Sequence, residues 1–185
     1  MNMVLTLLVI TLVASLALGS IYNLTKEPIE LAKKAKLENA IKQVIPEFDS
    51  LKTIKVLPKD GSPDSVTIYE GFKSGQKVGS AVATYSNKGF DATQIQIMVG
   101  FLPDNKIQDI AIVQQKETPG LGTKMKEPKF KDQFKGIDPS KFIFKVKKDG
   151  GDVDAITAAT ISSRAVSDAM QRAYDAYKME GGNNQ

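Results

Sequence analysis

The string Asp154-Ala155-Ile156-Thr157-Ala158-Ala159-Thr160-Ile161-Ser162-Ser163 places four hydroxyl side chains within seven positions, among small alanines. Beyond it, Ala165, Val166, Ala169, Met170, Ala173, Tyr174 and Tyr177 recur at spacings of three and four. That spacing predicts a helix over about Ser162 to Tyr177 with one face on a core. A helix N-terminus offers N–H groups without intrahelical partners and a positive dipole end, a combination that suits a phosphate. Ser162 or Ser163 can cap the helix, which leaves Thr157 and Thr160 to face an anion. Residue chemistry alone slightly favours a plain Ser/Thr cap. One cap, however, needs one hydroxyl, and Ala158 and Ala159 allow a close backbone approach that capping does not require.

The second string is Glu117-Thr118-Pro119-Gly120-Leu121-Gly122. Proline followed by glycine at the two central positions suits a type II turn, whose third residue takes positive φ. Gly122 would let another group approach the backbone. A surface turn accounts for Pro119 and Gly120 but leaves Glu117, Leu121 and Gly122 unexplained.

The chain of 185 residues contains no cysteine, histidine or tryptophan. Disulfides, Cys- or His-held iron–sulfur, haem and zinc sites, and imidazole- or thiol-based catalysis are thereby excluded. A redox role would need a cofactor held by oxygen, phosphate or backbone groups. Net charge is +4, from 25 Lys+Arg against 21 Asp+Glu, spread along the chain. No basic cluster with interleaved aromatics marks a nucleic-acid surface.

No Asp, Glu, Lys or Arg occurs from Met1 to Thr25, and Met3 to Leu24 is rich in Leu, Val, Ile and Ala. About 20 apolar helical residues cross a bilayer core, so this segment reads as a single transmembrane helix. A cleaved signal peptide ending near Ala17-Leu18-Gly19 is the alternative. The length of the run and the lack of a basic segment ahead of it favour the anchor. Lys26, Lys33, Lys34 and Lys36 follow the helix, and taken literally they place the remainder in the cytoplasm.

Pro28 suits a helix start, and Ile29, Ala32, Leu37, Ala40, Ile41, Val44 and Ile45 form a helical stripe ended by Pro46. Strands are expected at Thr53–Leu57, Ser65–Phe72, Lys77–Tyr85, Gln94–Phe101 and Lys106–Gln114. In the fourth, Ile95, Ile97, Val99 and Phe101 share a face. Turn residues separate them at Lys59-Asp60-Gly61, Asn87-Lys88-Gly89 and Pro103-Asp104-Asn105. A short helix at Pro128–Phe134 and a strand at Phe142–Val146 follow. The expected organisation is a transmembrane anchor (1–25), a linking helix (26–48), an α+β domain with a mainly antiparallel sheet (49–180) and a disordered tail (181–185).

Asp154 to Ser162 closely resembles the flavinylation signature of the FMN-binding domain: Asp, two variable residues, Ser/Thr, Gly, Ala, Thr, any residue, Ser/Thr. The Glu117–Gly122 string resembles a second hallmark of that family, about forty residues upstream. With the anchor and the sheet-then-helix order, the whole chain resembles the G subunits of Rnf electron-transport complexes. The C subunits of Na⁺-translocating NADH:quinone reductases are similar but usually longer. One position departs: the family's glycine is Ala158, which would be strained if the site takes positive φ.

The resemblance implies FMN joined through its phosphate to Thr160 as a phosphoester. Thr157, Ala159, Ser162, Ser163, Glu117, Thr118, Leu121, Gly122 and Lys124 are implied as cofactor-binding residues, with no catalytic residue and no metal. The turn would lie against the isoalloxazine or ribityl, Leu121 as an apolar contact and Thr118 as a hydrogen-bond donor. Lys124 would favour a reduced anionic flavin or would be a solvated surface lysine. Other Rnf membrane subunits and a flavin transferase are the implied partners. Location is a cytoplasmic (inner) membrane with the domain outside, against the lysine bias. The implied function is electron transfer between ferredoxin and NAD coupled to Na⁺ or H⁺ movement, without independent turnover. The alternatives are the quinone-reductase C subunit, or an anchored binding domain without flavin.

Overall fold

The computed structural model describes residues 2–58, 65–91 and 93–182. The chain divides into two units, Met1–Glu38 and Asn39–Gln185. Helix α1 spans Met3–Val44, and its apolar part has a mean hydropathy of 2.5. It is long and apolar enough to cross a membrane. Two hydroxyls in this part bond back to their own helix. Thr11 Oγ1 donates to the Leu7 carbonyl at 3.0 Å and Ser20 Oγ to Leu16 at 2.8 Å.

Pro28 does not start a second helix; α1 runs through it. A proline there forfeits one backbone bond and crowds the Leu24 carbonyl. Good helix formers on both sides carry the helix onward. Thr25 Oγ1 reinforces the preceding turn by donating to the Ile21 carbonyl at 2.8 Å.

The second unit holds a five-stranded antiparallel meander in the order β1-β2-β3-β4-β5. Its strands are β1 (Ser50–Val56), β2 (Val66–Lys73), β3 (Gln76–Ser86), β4 (Ile95–Phe101) and β5 (Ile107–Gln114). Each overlaps one of the five period-two segments read from the sequence. Ile95, Ile97, Val99 and Phe101 all enter the core, beside Ile68 and Val82. On that face lies α3 (Thr160–Gly182), which contributes Ala165, Val166, Ala169, Met170 and Ala173. The opposite face is floored by small residues and receives the last turn of α1. Ala40, Ile41, Val44 and Ile45 are buried, and a Cβ on Gly100 would lie 1.7 Å from the Val44 carbonyl oxygen.

Helix α2 (Pro128–Lys131) and a 3-10 turn, Asp132–Phe134, fill the expected Pro128–Phe134 helix. The expected strand at Phe142–Val146 does not form. Phe144 and Val146 are buried, as the alternation requires, but the backbone bonds locally instead of joining the sheet. The Ile143 N–H donates to Asp152 Oδ2 at 2.7 Å, and the Val153 N–H donates to the Lys145 carbonyl at 3.0 Å. Only a single parallel bridge, Val146 with Val153, results. Helix α3 runs on to Gly182, past the expected start of a disordered tail. The remainder of that tail and the Lys59-Asp60-Gly61 turn lie outside the described residues.

Candidate functional site

The loop before α3 is shaped by a turn. The Ala159 N–H donates to the Ile156 carbonyl at 3.0 Å, with Thr157 and Ala158 at its centre. Ala158 sits at φ +61°, the left-handed conformation that a type II turn demands of its third residue. Chain direction then reverses into α3, whose first intrahelical bond runs from the Ser163 N–H to the Ala159 carbonyl.

The helix thus begins at Thr160, two residues before the expected start. Ser162 and Ser163 lie inside its first turn and do not cap it in the usual way. Ser163 bonds backward, accepting the Ile156 N–H at 2.9 Å. Ser162 Oγ donates across to Glu117 Oε2 at 2.5 Å. The N–H groups of Thr160, Ile161 and Ser162 precede the first intrahelical bond and remain for an anion.

The upstream string forms the expected turn. The Leu121 N–H donates to the Thr118 carbonyl at 3.1 Å, and Gly120 takes φ +75°. Thr123 Oγ1 secures it by accepting the Gly120 N–H at 3.0 Å. A 3-10 turn, Gly122–Lys126, follows and buries Gly122 and Met125.

Both strings converge on one cavity of about 350 Å³. Its walls are Glu117, Thr118, Leu121 and Gly122 from the first string, and Ala158, Ala159, Thr160, Ile161 and Ser162 from the second. Phe90, from the segment after β3, completes it. Seven of the residues implied as cofactor contacts are therefore brought together: Thr160, Ala159, Ser162, Glu117, Thr118, Leu121 and Gly122.

Three are not. Thr157 and Lys124 line a neighbouring cavity of about 190 Å³ with Glu127, Lys129 and Phe130. The turn at Ile156–Ala159 points Thr157 away from Thr160, and the 3-10 turn carries Lys124 past the first cavity. Ser163 is fully buried beneath the loop. A larger groove of about 550 Å³, beside Asp168, Arg172 and Asp175 on α3, shares no residue with either string.

Phe90 and Ile161 were not singled out by sequence reasoning. Phe90 is 69% exposed, Ile161 45% and Leu121 39%, and together they make an apolar rim on the cavity. A large aromatic directly after the Asn87-Lys88-Gly89 turn was the available signal. The donor set fits a flavin mononucleotide: a hydroxyl and free helix-terminal N–H groups suit its phosphate, and apolar side chains suit its ring.

The profile of the FMN-binding domain matches residues 89–175, a span that holds both strings and every cavity residue. The G subunit of the ion-translocating oxidoreductase complex of Methanosarcina acetivorans is 32% identical over 177 residues, 94% of this chain and 92% of that protein. The G subunit of the Na⁺-translocating ferredoxin:NAD⁺ oxidoreductase complex of Acetobacterium woodii is 29% identical, over 94% of this chain and 89% of its own length. Among solved structures, Shewanella oneidensis NqrC matches with 24% identity over 72% of this chain and 65% of that chain, at a TM-score of 0.47. The chain contains an FMN-binding domain. It belongs to the family of G subunits of ion-translocating oxidoreductase complexes.

Proposed function

We propose that this chain is the flavin-carrying subunit of a membrane complex that couples electron transfer between ferredoxin and NAD to Na⁺ or H⁺ movement. In this reading FMN is held covalently, its phosphate esterified to Thr160. The supporting observation is convergence: two strings about forty residues apart share a cavity, and Thr160 stands on its wall at the first position of α3.

FMN supplies reversible electron storage when bound. The rest of the work falls to the protein. The Thr160 hydroxyl oxygen holds the phosphoryl group. The N–H groups of Thr160, Ile161 and Ser162 orient it, with the helix dipole favouring its negative charge. Phe90, Leu121 and Ile161 offer the ring an apolar wall and exclude water there. Thr118 supplies a hydroxyl donor at the rim. Thr157 and Lys124 stand outside this set, in the adjacent cavity.

The chain is a single-pass membrane protein in this reading, with its domain on the extracytoplasmic side. Loss of a non-covalent cofactor would be irreversible there, which gives the ester its purpose. Partners are the other subunits of the complex and a flavin transferase that makes the ester.

The test is to produce the chain with a flavin transferase and compare it with Thr160→Ala. The wild type should fluoresce in a denaturing gel and exceed its sequence mass by one FMN less one water. A fluorescent Thr160→Ala band would overturn the assignment. Protease added outside right-side-out vesicles should degrade the domain; full protection would place it in the cytoplasm.

A further inference from the structure

Glu117 lies in the cavity wall yet is only 4% exposed. Both carboxylate oxygens are engaged by the protein. Oε1 accepts the N–H groups of Phe90 at 2.9 Å and Asp91 at 3.4 Å, and Oε2 accepts the Ser162 hydroxyl at 2.5 Å. Two glycines make room for it. A Cβ on Gly89 would lie 2.6 Å from Oε1, and one on Gly122 would lie 2.8 Å from Oε2 and 2.5 Å from Ser162 Oγ.

Every one of these contacts ends at, or one residue from, a member of the apolar rim. Phe90 donates directly, Ile161 precedes Ser162, and Leu121 precedes Gly122. One carboxylate therefore sets the mutual spacing of three side chains that come from three separate segments.

We infer that Glu117 is a positioning residue that ties the three walls of the flavin cavity together and so fixes the orientation of the ring, without itself contacting FMN. This inference rests on the proposed flavin site. Glu117 exposes only 4% of its surface and gives three of its acceptor positions to Phe90, Asp91 and Ser162, which leaves it little to offer the ring.

The role depends on shape and bonding pattern. Glutamine satisfies both: its carbonyl oxygen can take the two N–H groups, and its amide can donate to Ser162 Oγ, whose own proton turns elsewhere. Alanine satisfies neither.

The experiment uses the full chain, produced with a flavin transferase and purified in detergent, as wild type, Glu117→Ala and Glu117→Gln. Far-UV circular dichroism monitors the fold, denaturing-gel fluorescence the attachment, and visible circular dichroism with fluorescence anisotropy the order of the bound ring. Glu117→Ala should keep its label and its far-UV spectrum but lose about half or more of the visible signal, because a site loosened by an ångström no longer orients its ligand. Glu117→Gln should retain the wild-type visible spectrum. A wild-type visible spectrum in Glu117→Ala, or an equal loss in Glu117→Gln, would overturn the inference. Should Glu117→Ala not fold, Ser162→Ala carries the comparison through its one lost tether: a reduced visible signal supports the role and an unchanged one refutes it. A colourless wild type would instead defeat the flavin reading, a result separable from all of these.

Discussion

Ser163 Oγ bridges both ends of the turn that presents Ala158: it accepts the Ile156 N–H at 2.9 Å and donates to the Ala159 carbonyl at 3.0 Å. The hydroxyl is fully buried, so no water replaces it if it is removed. Ser163→Ala would orphan the buried Ile156 N–H, with an expected loss of about 1–3 kcal/mol. Urea unfolding followed by far-UV circular dichroism measures this. A loss below about 0.5 kcal/mol would mean that the loop finds another acceptor.

Ala158 holds φ +61° in the same turn. A left-handed conformation costs a non-glycine residue roughly 1–2 kcal/mol, and glycine's extra freedom in the unfolded chain returns part of that. Ala158→Gly should therefore stabilise the protein by about 0.5–1 kcal/mol, seen as a higher unfolding midpoint. A lower midpoint would show that the alanine methyl group makes a contact worth more than the strain.

The five strands were legible because their apolar residues alternate over one face of a sheet, and alternation survives without knowledge of partners. Phe142–Val146 carries the same alternation yet pairs with its own following loop, since burial of Phe144 and Val146 needs no ladder. The Thr118–Leu121 turn could be read because proline and glycine constrain the backbone locally, whereas Thr160 stands out among its neighbouring hydroxyls only through the family resemblance. Phe90 could not, since its place at the cavity depends on a hydrogen bond to Glu117, 27 residues away. Thr157 and Lys124 fell to the neighbouring cavity because turn handedness, not residue type, decides where each side chain goes.

Gly100 in β4 lies under the last turn of α1. A Cβ there would come within 1.7 Å of the Val44 carbonyl oxygen and 2.9 Å of Val44 Cβ. The obstacle is Val44 backbone, which cannot swing aside as a flexible side chain can, so Gly100→Ala must displace the buried stretch from Ala40 to Ile45. The expected cost is about 3 kcal/mol or more, at the upper end for overpacking. Limited proteolysis should detect a new cleavage site near Ile45–Phe48. Wild-type stability with no new cleavage would mean that the helix end shifts at little cost.

Arg164, in the opening turns of α3, holds Asp149 by two hydrogen bonds, Nε to Oδ2 at 2.6 Å and Nη2 to Oδ1 at 2.8 Å. The guanidinium's hydrogen bonds, and then its charge, lower the Asp149 pKa below the ordinary carboxylate value. A depressed folded-state pKa contributes stability that is complete above the unfolded value of about 3.9 and is lost as pH falls through the folded value. Both side chains are partly exposed, so the effect is small and salt-sensitive. The difference in melting temperature between wild type and Arg164→Gln should be constant from neutral pH down to about 5 and then shrink below about 4. High salt should narrow the difference throughout. A difference that persists unchanged at pH values below that window would show that Arg164 stabilises through packing of its aliphatic stem and not through Asp149.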